Sequence, residues 1–394
     1  MINRRRLLAA TTAAVAGVLP TLQAYANEMA DGWPRGSTGR LKRLPNLALE
    51  SREDFLTSFR GWVNNDFRKV AEARSLVVLK NAGIDPSVEL PFIKVAQIME
   101  KDPILMESSQ AWLTTQNMMW KELQGEFHSK EDFYLSEMEA ADKKGPGTLT
   151  MYPTMKTPEY TAHEIHIQPG GYVGDAFAGH IYHYGTNNFF TGHNNQDEMH
   201  KALAARIAMP ADGKVKRILD LGCSCGQLTV ALKERFPEAE VWGIDIGAPM
   251  VRYAHMRARN IGSEVHFAQR LAEETSFPDN HFDIVTSNIM FHEVTSDAAR
   301  QIIKETNRVL RTGGVFYPID FYTAGSPPKA AYGKFRSWWD HRWNNEVHRL
   351  DYAEMDFAGA IRGAGLKLTM DGQGSAMGMA APGKTGNMVG TKQA

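Results

Sequence analysis

The sequence of 394 residues contains only two cysteines, Cys223 and Cys225. They stand two positions apart, which is too close for an unstrained disulfide bridge. A disulfide framework is therefore excluded, and we expect both thiols to be small buried residues rather than a redox pair.

An excess of charge of either sign is also missing. Lysine and arginine number 44 against 45 aspartates and glutamates, so the formal net charge is −1. Because no overall field would attract phosphate groups or an anionic membrane surface, we expect no nucleic-acid partner. A hydrophobic fraction of 43% in a chain of this length is enough for two domains with a sizeable core.

No run of the sequence matches the roughly 20 apolar residues that a membrane-spanning helix needs. The mild apolar run Leu7–Leu22 follows Arg4–Arg6 and precedes Ala24–Ala26, an A-x-A cleavage pattern. We predict that residues 1–26 are a signal peptide of the twin-arginine type, which gives a periplasmic protein without stable membrane insertion. A disordered basic N-terminus is the alternative.

A linker rich in Gly, Pro and Arg is predicted over residues 27–50, and a mainly helical region over residues 51–159. A capping box formed by Ser51 and Asp54 predicts where the first helix starts. Its apolar residues recur every three or four positions and predict one apolar stripe: Phe55, Phe59, Trp62, Val63, Phe67 and Val70. We expect these helices to form a lid or to mediate the formation of a homodimer.

Residues 160–209 are unusually rich in histidine and aromatic residues. The segment holds six of the thirteen histidines: His163, His166, His180, His183, His193 and His200. A metal site is one interpretation, because H-x-x-H occurs twice. However, no cysteine accompanies the histidines, and H-E-I-H lacks the i,i+4 spacing that places two ligands on one helix face. We therefore predict no metal site.

The middle of the chain contains a strand, a glycine turn and a helix in succession. Ile218–Leu221 is a short apolar run of the buried-strand type, and Gln227–Arg235 has a helical pattern. Between them the glycines follow D-x-G-x-x-x-G, with Asp220, Gly222 and Gly226, and not the G-x-G-x-x-G of dinucleotide-binding proteins. This arrangement typically opens a doubly wound α/β domain, whose ligands lie beyond the carboxyl ends of the strands.

The glycine turn resembles motif I of the class I S-adenosylmethionine (SAM)-dependent methyltransferases, with Ser224 where that family usually has a middle glycine. The resemblance extends over residues 214–322, with a fainter echo at the C-terminus. It implies a Rossmann-like α/β fold over residues 210–394, with a seven-stranded, mostly parallel sheet whose last strand is antiparallel. It also implies SAM as the cofactor and residues 160–209 as a lid over it.

The following strands supply further candidate ligands. Asp245 ends the second strand, where its two carboxylate oxygens suit the hydroxyls of a ribose. Phe282–Ser287 and the polar edge Asn288–His292 resemble motif IV of methyltransferases that act on small molecules. The predicted cofactor-binding residues are Asp220, Gly222, Cys223, Gly226, Asp245, Ile246, Met250, Leu271, Ala272, Glu273 and Asn288.

The expected reaction is an in-line transfer of the methyl group to a small-molecule acceptor, in which the protein mainly aligns the reactants. If the acceptor must lose a proton, His292 is the first candidate base, because it follows the fourth strand. His183 and Tyr184 in the lid are weaker candidates, as is Asp320. Two alternatives are a SAM-binding protein without catalysis and a lipid-modifying enzyme of the cyclopropane-synthase type. The export signal leaves open whether the protein acts in the cytoplasm before export.

Overall fold

A computed structural model describes residues 37–38, 40–321, 323, 329–373 and 386–394. The predicted signal peptide, the first part of the predicted linker and much of the Gly-rich stretch 372–386 lie outside these ranges. Among the described residues, no helix combines the length and the apolar character that crossing a membrane requires.

The N-terminal half is a helical layer, as the periodicity predicts. Its elements are β1 (Ser37–Thr38), β2 (Leu41–Lys42), α1 (Leu47–Trp62), α2 (Arg68–Asn81), α3 (Phe92–Met99), α4 (Pro103–Ser129), α5 (Glu131–Asp142) and β3 (Thr148–Thr150). A π-helical turn, Val63–Phe67, joins α1 to α2.

The first helix starts four residues earlier than the capping box predicted. Asn46 is the N-cap, and its side chain accepts a hydrogen bond from the backbone N–H of Leu49 at 2.7 Å. Asparagine is as good an N-cap as serine. The prediction of Ser51 as the start was wrong because Asn46 satisfies the free N–H groups of the preceding turn.

Most of the predicted apolar stripe of this helix, Val63 excepted, does not face the core. Phe55 is 62% exposed and Trp62 is 46% exposed, whereas Leu56 and Val63 are buried. The buried face also carries Arg60, whose guanidinium lies 4.1 Å from the centre of the Trp112 ring. The buried arginine lowers the hydrophobicity of that face as read from the sequence. The spacing of the apolar residues therefore indicated the neighbouring face of the helix as the buried one.

The second half of the chain alternates strands and helices. Its elements are α6 (Ala178–Phe189), α7 (Glu198–Arg206), β4 (Arg217–Leu221), α8 (Gln227–Arg235), β5 (Glu240–Asp245), α9 (Ala248–Asn260), β6 (His266–Gln269), β7 (Phe282–Asn288), α10 (Ser296–Val309), β8 (Leu310–Ile319), α11 (Ala331–Trp343), α12 (Arg349–Glu354), α13 (Phe357–Gly363), β9 (Leu366–Met370) and β10 (Met388–Lys392). Short 3₁₀ turns lie at Glu159–Thr161, Ile165–Ile167 and Phe291–Glu293.

These strands form one mostly parallel sheet in the order β3-β6-β5-β4-β7-β8-β10-β9, the Rossmann-like arrangement that the resemblance implied. Only β10 runs antiparallel to its neighbours. The hydrophobic core lies on both faces of the sheet, under α8 and α9 on one face and under α10 and α13 on the other. The order reverses between β4 and β7, and ligands bind at such a switch point.

The sheet has eight strands, one more than expected. The additional strand β3 pairs in parallel with β6 at the edge of the sheet, with Thr148 opposite His266. The predicted helical region 51–159 included these residues. Three residues flanked by Pro146 and Pro153 are too few to show a strand periodicity, so only the tertiary pairing identifies them.

Candidate functional site

A cleft of about 840 Å³ lies at the carboxyl ends of β4, β5 and β7. We call the side formed by the strand ends and the loops after them the glycine wall: Gly222, Ser224, Asp245, Ile246 and Asn288. We call the opposite side the polar wall: Tyr160, Tyr172, Tyr182 and Glu293.

The glycine turn leaves room for a ligand because of Gly222. Its φ of +63° favours glycine, and an added Cβ would lie 2.8 Å from the Met290 side chain. Ser224 has a φ of +51°, so it adopts the left-handed conformation of the glycine it replaces. The backbone N–H of Ser224 donates a hydrogen bond to Asp245 Oδ2 at 2.9 Å, which stabilises this conformation.

Asp245 is the carboxylate at the centre of the glycine wall. Besides the bond from Ser224, its Oδ1 accepts from the backbone N–H of Gly247 at 2.8 Å. Burial raises the pKa of this carboxyl, and the backbone N–H groups of Gly247, Ser224 and Ile246 oppose the rise. A carboxylate has about four acceptor positions, so acceptor capacity remains for the hydroxyls of a ribose.

Three more predicted residues lie where a cofactor would contact them: Asn288, Ala272 and Glu273. The side chain of Asn288 ends β7 in the cleft, and its buried Oδ1 has no hydrogen-bond partner among the described residues. Such an atom suits a ligand that donates, such as an ammonium or amino group. Ala272 and Glu273 line the far end, and the Tyr160 hydroxyl donates to Glu273.

Asp220 and Cys223 lie beneath the glycine turn, beside a smaller cavity. Asp220 is 1% exposed, and its Oδ2 accepts from the Thr229 hydroxyl at 2.7 Å. Burial raises the pKa of Asp220 to about 7, although the Thr229 hydrogen bond opposes the rise. We infer that this aspartate supports the turn from below, because it does not line the larger cleft.

Besides Asp220 and Cys223, three further predicted cofactor residues are not among those that line the cleft: Gly226, Met250 and Leu271. Gly226 faces the sheet, where an added Cβ would lie 2.6 Å from the Phe267 ring. It therefore permits close packing of α8 rather than contact with a ligand. Met250 was expected to pack on the adenine, but it is 1% exposed and packs against Gly247 in the core.

The polar wall presents aromatic rings to the cleft. The rings of Tyr172 and Tyr182 meet edge to face, with centroids 5.2 Å apart. Burial raises the pKa of both phenols, so both stay neutral. Aromatic faces attract cations by about 0.5–2 kcal/mol each, which suits a sulfonium.

His292, the first candidate base, does not line the cleft. It is 1% exposed, and its Nδ1 lies 2.7 Å from Asp320 Oδ1. Burial lowers the pKa of His292, but the carboxylates of Asp320 and Glu293 outweigh burial and hold it well above the usual value. The 3₁₀ turn after β7 directs this ring into the protein and directs the neighbouring Glu293 into the cleft.

His183 and Tyr184 also lie away from the cleft. His183 Nδ1 is 2.7 Å from the Tyr253 hydroxyl, and burial lowers the pKa of this histidine well below its usual value. The Tyr184 ring packs 5.6 Å from the Phe127 ring, between α6 and α4. Because successive helical residues are rotated by about 100°, Tyr182 faces the cleft and the next two residues face the core.

The sequence did not predict that Glu293 lines the cleft or that Glu346 lies close to Glu293 in the folded protein. The acidic residue directly after His292 was a possible signal for the first. No local signal marks Glu346, because it reaches the polar wall from the loop after α11. Tyr172 and Tyr182 were noted as aromatics of the lid, and both line the cleft.

Comparison with known proteins agrees with this geometry. Residues 218–314 match a methyltransferase domain family. A demethylmenaquinone methyltransferase of Thermus thermophilus is 40% identical over 118 residues, which are 30% of this chain and 51% of that protein. A ubiquinone/menaquinone biosynthesis C-methyltransferase of Cupriavidus necator is 35% identical over 118 residues, 29% of this chain and 47% of that one.

The chain therefore spans about half the length of the curated relatives it matches. Among solved structures, the YcgJ protein of Bacillus subtilis is 23% identical, with 43% of this chain and 70% of that chain covered and a TM-score of 0.34. The helical layer and the three tyrosines of the polar wall come before residue 218 and therefore lie outside the matched residues.

Proposed function

We propose that this protein is a SAM-dependent methyltransferase that acts on a small-molecule acceptor. The observation that carries the proposal is Asp245, a carboxylate at the end of β5 whose backbone hydrogen bonds leave acceptor capacity for the hydroxyls of a ribose. It lies beside a glycine turn in which a side chain at Gly222 would meet Met290. A diol and a narrow adenosyl group fit this arrangement.

The residues present fit the other parts of SAM as well. The unpartnered Oδ1 of Asn288 would accept from the ammonium of the methionine part. The tyrosine rings of the polar wall would face the sulfonium. When bound, SAM supplies an activated methyl group, and the chain's own contribution is to hold the acceptor in line with it at about 3–3.5 Å.

Labelled SAM with purified protein and a metabolite extract tests the activity. A labelled small molecule should form with the wild type and not with Asp245→Ala. The relatives named above methylate quinone precursors according to their names, so demethylated quinones are a suitable first set of acceptors. Absence of product from any extract, with SAM still bound, would contradict a methyltransferase.

A second candidate function is SAM binding without catalysis. It is favoured by one observation: none of the predicted bases His292, His183 and Tyr184 lines the cleft. The same labelling experiment separates the two functions. The cyclopropane-synthase alternative relied on the short segments His183–Tyr184 and Asn188–Phe190, and none of these residues lines the cleft.

We also propose export by the twin-arginine route, since that route carries folded proteins and would allow SAM to leave the cytoplasm already bound. Fractionation of cells that express the full chain tests it. The wild type should reach the periplasm, and Arg4→Lys/Arg5→Lys should remain inside. Equal distribution of both would contradict export by this route.

A further inference from the structure

Behind the polar wall, four side chains from three distant segments meet. His166 comes from the lid, His292 and Glu293 from the turn after β7, and Glu346 from the loop after α11. One nitrogen or oxygen atom of each lies within 4.8 Å of the others. Such a set of two imidazoles and two carboxylates is typical of ligands for divalent transition metals.

Several atoms at the centre of this cluster face one another at ion-pair distances but form no hydrogen bond among the described residues. They are Nε2 of His292 and both carboxylate oxygens of Glu293. The side chain of His292 is 1% exposed and that of Glu293 is 10% exposed. Buried polar atoms are nearly always satisfied, so these atoms indicate a missing ligand that accepts electron pairs from nitrogen and oxygen together.

Four distances between the imidazole nitrogens and the carboxylate oxygens are close to those around a single ion. His166 Nε2 lies 3.3 Å from Glu293 Oε1 and 3.2 Å from Glu346 Oε1. His292 Nε2 lies 3.2 Å from Glu293 Oε1 and 3.7 Å from Glu346 Oε2. A tetrahedral ion with bonds of about 2.0–2.1 Å keeps its ligand atoms roughly 3.3 Å apart.

The outer nitrogen of each imidazole is held from behind, which directs Nε2 to the centre. Nδ1 of His292 lies 2.7 Å from Asp320 Oδ1, and Nδ1 of His166 lies 2.6 Å from the Tyr172 hydroxyl. Metal-binding histidines usually have such a second partner, often a carboxylate. The backbone carbonyl of His166 is fixed as well, since it accepts from the side chain of Trp120 at 2.8 Å.

We propose that His166, His292, Glu293 and Glu346 bind one divalent first-row transition-metal ion, for which Zn²⁺ is the probe. Two neutral imidazoles and two carboxylates carry two negative charges, which such an ion neutralises. Arg349 donates to Glu346 Oε2 at 2.9 Å and holds that ligand in place. Since Glu293 also lines the cleft, the ion borders the space in which an acceptor would lie.

This assignment replaces the sequence-based prediction of no metal site. The spacing argument considered pairs of histidines within one helix. The cluster takes only His166 from the histidine-rich segment, and its other three members lie more than 120 residues further along the chain.

The test uses the full-length protein, stripped with a chelator and titrated with ZnCl₂ by calorimetry without SAM. The wild type should bind one equivalent, and Co²⁺ should give the visible absorption of a tetrahedral site. His166→Ala and Glu346→Gln should lose this binding. Tyr172→Phe, which removes a partner of a ligand, should weaken it by about 10- to 100-fold.

His163→Ala is the matched control, because His163 lies three positions before His166 and outside the cluster. It should bind Zn²⁺ as the wild type does. The proposal is overturned if the natively folded wild type binds no Zn²⁺, in which case the cluster is an ion-pair network with protonated imidazoles. It is also overturned if His166→Ala and Glu346→Gln bind as well as His163→Ala. SAM binding is measured separately, so failure here leaves the proposed function standing.

Discussion

The two walls of the cleft are built in different ways. The glycine wall comes from the ends of three adjacent strands and from the turns that follow them, so backbone conformation and one carboxylate define it. The polar wall is assembled from side chains that lie far apart in the sequence, between Tyr160 and Glu293. From this difference we infer that the glycine wall binds the cofactor and that the polar wall determines which acceptor reaches it.

Asp245→Ala should give the largest effect and would sharpen the comparison. Two hydrogen bonds to a charged group are worth about 3 kcal/mol or more together, which is at least about 100-fold in the dissociation constant of SAM. Calorimetry measures this dissociation constant. Glu240→Ala, at the other end of the same strand, is the control and should bind SAM as the wild type does. If both variants bind SAM with equal affinity, the glycine wall does not bind the cofactor through Asp245.

Asp220→Asn tests the support beneath the glycine wall. The folded pKa of Asp220 is about 7, above its unfolded value of about 3.9. Its stabilising contribution is therefore fully present below about pH 4 and is lost as pH rises through 7. Compared with Asp220→Asn, the wild type should lose about 1 kcal/mol of unfolding free energy per pH unit in that range. Urea unfolding at several pH values checks this, and a constant difference would contradict it.

Gly222→Ala tests whether the turn needs a bare backbone. A left-handed φ and the contact with Met290 should together cost about 1–3 kcal/mol of stability and weaken SAM binding by roughly tenfold. Gly213→Ala is the matched control, because Gly213 has a φ of +69° with nothing within 4 Å of an added Cβ. It should lose stability without losing SAM affinity. If the two variants bind SAM alike, the space at Gly222 is not used by the cofactor.

Tyr160→Phe should have the smallest effect and could break the comparison. It removes the hydroxyl that donates to Glu273, and one such bond is worth about 0.5–1.5 kcal/mol. SAM affinity should therefore change by no more than about tenfold. A loss as large as that of Asp245→Ala, measured by the same calorimetry, would mean that the polar wall binds the cofactor equally.

Most of the glycine wall could be predicted from sequence. The helix Gln227–Arg235 and the strand that ends in Asp245 have the predicted bounds, because an apolar run, a glycine turn and an acidic residue are all local signals. Asn288 was placed correctly at the end of β7 for the same reason. A parallel sheet brings such strand ends together whatever else the chain does.

The polar wall could not be predicted in the same way. The face of α6 that meets the cleft depends on how the helix packs on α4 and α9, and that packing selects Tyr182 over His183. His292 turned inward because Asp320 at the end of the neighbouring strand accepts from its ring. Glu346 joins the cluster through a loop about 50 residues later, and no periodicity reports such a contact.

Calorimetric titration of the folded wild-type protein with SAM, and with S-adenosylhomocysteine, tests the central claim most directly. We predict one equivalent of each with a micromolar dissociation constant. No heat of binding for either compound, from protein with native circular dichroism, would contradict a cofactor site beside Asp245.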